Sequence, residues 1–574
     1  MESHFNWFVD SSIVGLYILA TMVAGLMVRK YVVGVDDFLV AGREMNVYLG
    51  IASLAATEFC IITCMYTAQA GYVNGFSGAI PGICQCVAMF VIGLTGFCIK
   101  PLRDSGAITI PELFEKRYGS KIRWLAGLVI VLGGLLNMGV FLKIGGDFLV
   151  LVTNIEAREI VIGPIHLTML QFIMILLLVA VALYTILGGM LSVLVTDFLQ
   201  FIVMSVGLIA VTLLIFKNIC FTNLVETVKT HVGDGGFNPL KNSGLGWPFL
   251  VFQILIQTAA TLTWQTSIAR VLAAKDSNTG RKVYTGTSFF FVARFLIPGM
   301  WGIAALYMLT MPANRDKLLD LRKYEMTTLE QKADADYVKL TAEQKALVIQ
   351  QSSELKKELS AKADAAKKAN QSLTADEKNL LAVAGKVEQE VSLHAMPKLL
   401  SFFVPIGLMG VLIAAMLAAD MSTDSSYMIT WGSVIYNDIL APFRKGAWSA
   451  AKGLLWNRFI IAIIGVYLMI FGLFYEIKGN VWDYLTLTGS IYLSSMSVLL
   501  IACCYWKRAN SWGAAGGIVL GGAIPVIYLS LQKVNPQLAD AIGPYYSGIA
   551  AYVAAALGMI VGSLLKPQNA PERT

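Results

Sequence analysis

Apolar stretches of about 20 residues recur along the whole chain, and each can cross a bilayer core of about 30 Å. They predict about thirteen spans, near 10–28, 47–72, 78–99, 124–152, 166–187, 193–216, 246–269, 284–311, 397–436, 457–476, 482–506, 511–532 and 545–565. Two spans have polar centres. The second reads GIASLAATEFCIITCMYTAQAGY, with Thr57, Glu58 and Thr63 in it. The seventh reads FQILIQTAATLTWQTSIARVLAAK, with Gln257, Thr258, Thr261, Thr263, Gln265 and Thr266. Polar residues at this depth suit discontinuous helices, whose freed backbone groups and helix ends bind ions and solutes. If the two spans are equivalent, each opens a five-span unit, spans 2–6 and 7–11, and an odd number of passes inverts the second unit. Two unbroken helices facing a polar bundle interior would leave the same pattern.

One segment breaks the apolar rhythm. Residues 313–395 are rich in Lys, Glu, Ala and Gln, as in SSELKKELSAKADAAKKANQSLTADEKNLL. That composition favours helix and predicts a solvated helical hairpin, either structural or a docking arm for a protein partner. The chain then divides into an extra helix and loop (1–46), a first repeat (47–217) and a loop (218–245). The second repeat begins at 246–312, is interrupted by the insert (313–395), and resumes at 396–510, before two C-terminal helices and a tail (511–574).

Composition strengthens the membrane reading: 56% of residues are hydrophobic and 14% charged, against about a quarter charged in soluble domains. The net charge of +7 does not point to nucleic acid, because the basic residues gather in short loops. Those at 29–46, 99–123, 270–283, 437–456 and 507–510 carry most of them, Arg43, Arg103, Arg123 and Arg270 included. The positive-inside rule makes these loops cytoplasmic, which puts the N-terminus outside and the C-terminus inside a cell (inner) membrane. The N-terminus lacks a basic stretch and a small-residue cleavage site, so the first span is expected to be retained. Seven of the eight cysteines fall inside apolar spans and read as small buried hydrophobes. The histidines His4, His166, His231 and His394 fall in loops or at helix ends, without partners at metal-ligand spacing. No nucleophile–base pair, metal cluster or phosphate loop suggests an enzyme, and no organic cofactor is expected.

Charge within spans is costly and marks pathways or pairs. Lys143 and Asp147 lie four apart on one helix face and can neutralise each other. Asp197 and Arg294 lie in the sixth and eighth spans, and AADMSTDSS closes the core of the ninth. At about 100° per residue, Ala419, Ser422, Thr423 and Ser426 share one helix face, while Asp420 and Asp424 lie on a face turned away from it.

Five motifs occur in order: DDFLVAGREM (36–45), ITIPELFEKRYGSKIRW (108–124), GGMLSVLVTDFLQ (188–200), RVLAAKD (270–276) and YWKRAN (505–510). Together they resemble the sodium/solute symporter family, which includes sodium-coupled sugar, proline, pantothenate and sialic acid carriers. The resemblance implies a leucine-transporter-type, all-α fold and symport of a small solute by alternating access, driven by sodium. It implies a first sodium site at Ala56, Phe59, Ala419, Ser422 and Thr423, with oxygen donors that suit a hard cation. A second, found in some members, implies Asp197, Ser422, Ser425 and Ser426; all four bear oxygen, so two sodium ions are expected, although Ser425 and Ser426 can instead bond back to the preceding turn and Asp197 can instead form a structural pair with an inner-face basic residue. The solute would meet Gln257, Arg294 and Trp482, with Thr63 and Gln85 further lining the pocket. Arg294 grips a carboxylate with two bonds where lysine would act as a point charge, and Glu58 is an acid where the family commonly has a neutral residue. An acidic or zwitterionic solute is therefore an alternative to a sugar. Asp420 and Asp424 are expected to pair with Arg294 or Lys143, and Arg294 can alternatively pair with Glu58. Proton coupling, or a sensor that has kept the fold, are the competing functions.

Overall fold

The computed structural model describes residues 5–154, 159–162, 165–242, 244–368, 372–444, 446, 448–475 and 480–566. His4 therefore lies outside the described residues. The principal helices begin with α1 (Val9–Val28), α2 (Val47–Glu58), α3 (Ile61–Asn74), α4 (Ile80–Thr95), α5 (Ser120–Met138) and α6 (Phe141–Thr153). A short antiparallel hairpin, β1 (Glu159–Ile162) and β2 (Ile165–Thr168), leads into α7 (Met169–Asn218). Then come α8 (Gly246–Thr263), α9 (Gln265–Ala273), α10 (Ser277–Thr310), α11 (Arg315–Gln331), α12 (Ala342–Lys368) and α13 (Ala375–Phe403). The chain closes with α14 (Leu408–Val434), α15 (Ala450–Phe474), α16 (Val481–Tyr505), α17 (Ser511–Val534) and α18 (Pro544–Leu565). Shorter helices occupy the loops.

Among the described residues, eleven stretches are long and apolar enough to cross a membrane. One of them, Ile61–Thr95, holds both α3 and α4. Another is nearly all of α7, which bends at Gly189 (φ +56°, ψ −151°) into lengths 169–188 and 190–218. Only glycine adopts that backbone without strain. A Cβ there would also sit 2.6 Å from Phe38.

Both polar-centred spans are broken. Phe59 and Cys60 are extended between α2 and α3, and Trp264 is extended between α8 and α9. The outer partner of α3 is α10, and the two backbones touch through glycines. A Cβ on Gly71 would lie 2.1 Å from the Gly299 carbonyl oxygen, and one on Gly302 would lie 1.9 Å from that of Ala68. Small residues bring membrane helices this close because dispersion, not water exclusion, drives their association.

The insert differs from a solvated hairpin. It forms three helices, α11, α12 and α13, with Leu321, Met326, Val348, Val383 and Val387 buried among them. Its ion pairs include Arg322–Glu388 at 2.9 Å and Lys386–Asp334 at 2.7 Å. The boundary expected at 395/396 falls inside α13, and the ninth span begins at Leu408 rather than 397. Pro397 does not end α13. The break comes at Pro405, because the residue before a proline is pushed out of the helical region. Val404 is extended (φ −84°, ψ 119°), and Gly407 takes φ +84°.

The loop motif ITIPELFEKRYGSKIRW docks under the far end of α14. Thr109 Oγ1 donates to Asp438 Oδ1 at 2.9 Å, and Arg123 Nε donates to the same oxygen at 2.8 Å. At the start of α14 the cap comes from α1. Asp10 is wholly buried, and its Oδ1 accepts from the N–H groups of Gly407 (2.8 Å) and Gly410 (2.7 Å). These are free donors at a helix start, where a carboxylate is favoured twice over. Hydrogen bonds to a charged group contribute about 1.5–3 kcal/mol each. Asp10→Ala is expected to lower the thermal stability of the purified protein clearly and Asp10→Asn less so, read by monodispersity after heating.

Candidate cation and solute site

The break between α2 and α3 leaves carbonyls without helical partners, and α14 crosses it. Thr423 Oγ1 donates at 2.8 Å to the Thr57 carbonyl. It also lies 3.3 Å from the Phe59 carbonyl and 3.0 Å from that of Ala419. Phe59, Ala419 and Thr423 thus meet as a cluster of neutral oxygens, with the Ala56 carbonyl accepting weakly from Phe59 N–H at 3.4 Å. Such donors fit a small hard monovalent cation: they stabilise its charge without a carboxylate in the contact. Ser422 turns the other way, donating to Asp197 Oδ1 at 2.6 Å.

Asp197 is the centre of a second, charged cluster. Its Oδ2 accepts from Ser53 Oγ at 2.5 Å and from Arg270 Nη2 at 2.9 Å. The Arg270 side chain is wholly buried. It also donates to Ser53 Oγ (3.0 Å), Thr57 Oγ1 (2.7 Å), Ser426 Oγ (2.5 Å) and the Thr266 carbonyl (3.3 Å). Asp197, Ser422 and Ser426 are therefore together, but a guanidinium stands among them. Ser425 stays out, donating back to the Ser422 carbonyl at 3.1 Å. The sequence pattern put Arg270 with the loop cations, at the end of an apolar run. The break at Trp264 makes α9 a separate helix, and its Arg270 faces α2, α7 and α14 instead. The signal available was the crowd of short polar residues facing it, Ser53, Thr57 and Ser426.

Next to these clusters lies a cavity of about 90 Å³, lined by Glu58, Thr63, Gln85, Gln257, Arg294 and Trp482 among others. All five residues expected to meet the solute line it. Asn137, Tyr66, Trp264 and Tyr427 also line it and are not singled out by the sequence pattern. Trp482 closes one side, its ring 4.8 Å from that of Tyr66 and 5.7 Å from that of Phe295.

Arg294 takes Glu58 as its partner (Nη1 to Oε2, 3.4 Å) and donates to Thr63 Oγ1 (3.3 Å) and Tyr66 OH (3.2 Å). Glu58 Oε1 accepts from Thr266 Oγ1 (3.1 Å) and Ser267 Oγ (2.8 Å) at the start of α9. One carboxylate thereby ties the first broken helix to the second and neutralises the arginine of the cavity. Arg294 thus takes the alternative partner, Glu58, and not Asp420 or Asp424. Arg294 is engaged elsewhere, and Asp420 faces the Ile61 N–H at the start of α3, where a helix N-terminus favours negative charge. Its Oδ1 is buried without a hydrogen bond. Lys143 and Asp147 lie four apart on α6, as expected.

The Asp197–Arg270 pair is fully enclosed, so removing one partner strands the other. Breaking such a pair costs about 3–5 kcal/mol, whereas replacing both partners is far milder. Asp197→Asn and Arg270→Gln are each expected to destabilise the protein more than the double variant does, measured as thermal midpoints in one detergent.

A family model described as the sodium:solute symporter family matches residues 38–314 and 373–521. The interval between the two stretches coincides with α11 and α12. Curated relatives include the sodium/glucose cotransporter 1 of Sus scrofa, 23% identical over 547 residues, spanning 89% of this chain and 70% of that protein. The sodium/myo-inositol cotransporter of Bos taurus is 23% identical over 560 residues, spanning 91% of this chain and 67% of that protein. Among solved structures, a substrate-bound, outward-open Na+-coupled sialic acid symporter superposes with a TM-score of 0.72 at 15% identity, covering 99% of this chain and 100% of that one. It shares the fold. The matched family stretches cover most of the chain, and the relatives are transporters rather than enzymes. The chain belongs to the sodium:solute symporter family, as a multi-pass membrane transporter.

Proposed function

We propose that this protein imports a small polar solute by sodium symport, with the sodium at the α2–α3 break. The observation that carries the reading is Thr423 Oγ1 among the carbonyls of Thr57, Phe59 and Ala419, beside a cavity built on the same break. Ala56 and Ser422 complete the set once Ser422 turns from Asp197. Thirteen passes, with the N-terminus outside and the C-terminus inside the cell membrane, fit the loop charges. Spans 2–6 and 7–11 then form two inverted repeats, each opened by a broken helix, which rock about the site in alternating access.

The stoichiometry proposed is one sodium per cycle. Arg270 already supplies a positive charge to Asp197 and Ser426, so a second sodium requires the guanidinium to withdraw. Arg294 is offset by Glu58, so the cavity is close to neutral and suits an uncharged polyhydroxyl or zwitterionic solute over a net anion. The relatives named for glucose and myo-inositol agree with the uncharged class. A proton-coupled reading rests on Asp420 and Asp424, buried one turn apart near the same break.

Proteoliposomes with a sodium gradient and equal pH on both sides separate these. Uptake of one member of a panel of sugars, polyols and amino acids is expected with sodium and not with potassium. Thr423→Ala removes a cation ligand, and its half-saturating sodium concentration is expected to rise roughly tenfold or more. Uptake driven equally well by a proton gradient in potassium would transfer the coupling to the aspartates. Folded protein with no uptake under either gradient would favour a sensor.

A further inference from the structure

The insert carries a second cluster that the transport reading does not use. Glu325 of α11 and Glu390 and His394 of α13 place one ligand atom each within 4.8 Å of one another. Glu390 and His394 are four apart, on one helix face, and Glu325 faces them from the neighbouring helix. His394 Nδ1 lies 2.8 Å from Glu325 Oε1. That bond accounts for one carboxylate. Among the described residues no hydrogen bond or ion pair engages the half-buried Glu390 carboxylate. Asp147 of α6 adds a third negative group within electrostatic reach of the other two, and Lys143 and Lys332 are the nearby cations.

A buried and a half-buried carboxylate with fewer hydrogen-bond partners than oxygens favour a cation between them. The donor set is specific in kind. An imidazole with two carboxylates suits a first-row transition metal and zinc in particular, whereas calcium and magnesium take oxygen ligands throughout. Metal–ligand bonds of about 2.0–2.2 Å place tetrahedral ligands about 3.3–3.6 Å apart, so the His394–Glu325 contact at 2.8 Å has to open slightly and the wider separations, up to 4.8 Å, to close by little more than 1 Å. Long Glu side chains can supply that. Glu390 is only half-buried, which leaves an entry path.

We propose that Glu325, Glu390 and His394 form a zinc-binding site that clasps α11 to α13. The clasp lies where α13 meets the transport core. Gln69 of α3, the outer half of the first broken helix, donates to the Gln389 carbonyl (3.1 Å) and to Ser392 Oγ (3.0 Å) on α13. Asp147 belongs to the core helix α6, so the charge of the metal is felt across the same contact. Sequence spacing alone did not show the site, because one of its ligands is 65 or more residues away from the other two.

The test uses the full-length protein in detergent, freed of any affinity tag, stripped with chelator and equilibrated with Zn2+. One zinc per chain is expected, with an X-ray absorption spectrum showing one nitrogen ligand among oxygens and a rise in thermal stability that chelator reverses. His394→Ala is expected to weaken the binding at least about tenfold, since even second-sphere changes cost that much, while His231→Ala leaves it unchanged. If His394→Ala fails to fold, Glu390→Gln at the rim carries the same expectation. Zinc content in wild type no higher than in the folded variants, or a spectrum without nitrogen, overturns the proposal.

Discussion

Everything at the centre of this protein follows from one interrupted helix. Inside a membrane no water is available to satisfy free carbonyls, so non-helical backbone persists only where protein or an aqueous cavity covers it. Phe59 and Cys60 are such backbone. α14 covers them, and Thr423 is the side chain that reaches the carbonyls set free. The same break turns Glu58 towards the cavity and its neighbour Thr57 towards Asp197. The proposed cation position and the solute cavity are consequences of one local departure from helix. An ion held there would sit between α2–α3 and α14, two elements whose separation alternating access would change.

The two buried arginines near the break are each matched by a carboxylate. Glu58 answers Arg294, and Asp197 answers Arg270. Buried pairs of this kind add little net stability, because desolvation offsets their attraction. What they do provide is geometry: Glu58 links the two broken helices through Thr266 and Ser267, and Arg270 links α2, α7, α9 and α14. Movement of either arginine would cost energy unless an arriving ion or solute replaced its bonds. That gives the clusters a physical way to sense occupancy.

The positions of the helices were legible because a bilayer demands long apolar runs, and both interruptions were marked by residues polar where lipid would forbid it, a pattern that unbroken helices facing a polar interior would share. The five cavity residues were legible only through family resemblance, since Gln85 or Trp482 alone reads as an ordinary helix residue. A basic partner from the inner face was legible as an alternative for Asp197, but Arg270 in particular was not: hydropathy sees the end of an apolar run and cannot see that a break at Trp264 separates the last helical turns from the rest of the span. The partners of Asp420 were missed for a related reason. A helix N-terminus is a charge that no residue type announces. The insert's helices followed from composition, but their buried core and the continuation of α13 through Pro397 depend on packing against α3, α6 and α10.

The central claim is that neutral oxygens at the α2–α3 break hold sodium. Equilibrium binding of radiolabelled sodium to the purified protein, at fixed pH with potassium as the background salt, tests it most directly. The account predicts saturable binding near one sodium per chain, strongly weakened in folded Thr423→Ala and retained when a conservative change is made in the zinc-site cluster instead. Absence of saturable sodium binding in the wild type, or binding indifferent to Thr423→Ala, would contradict it.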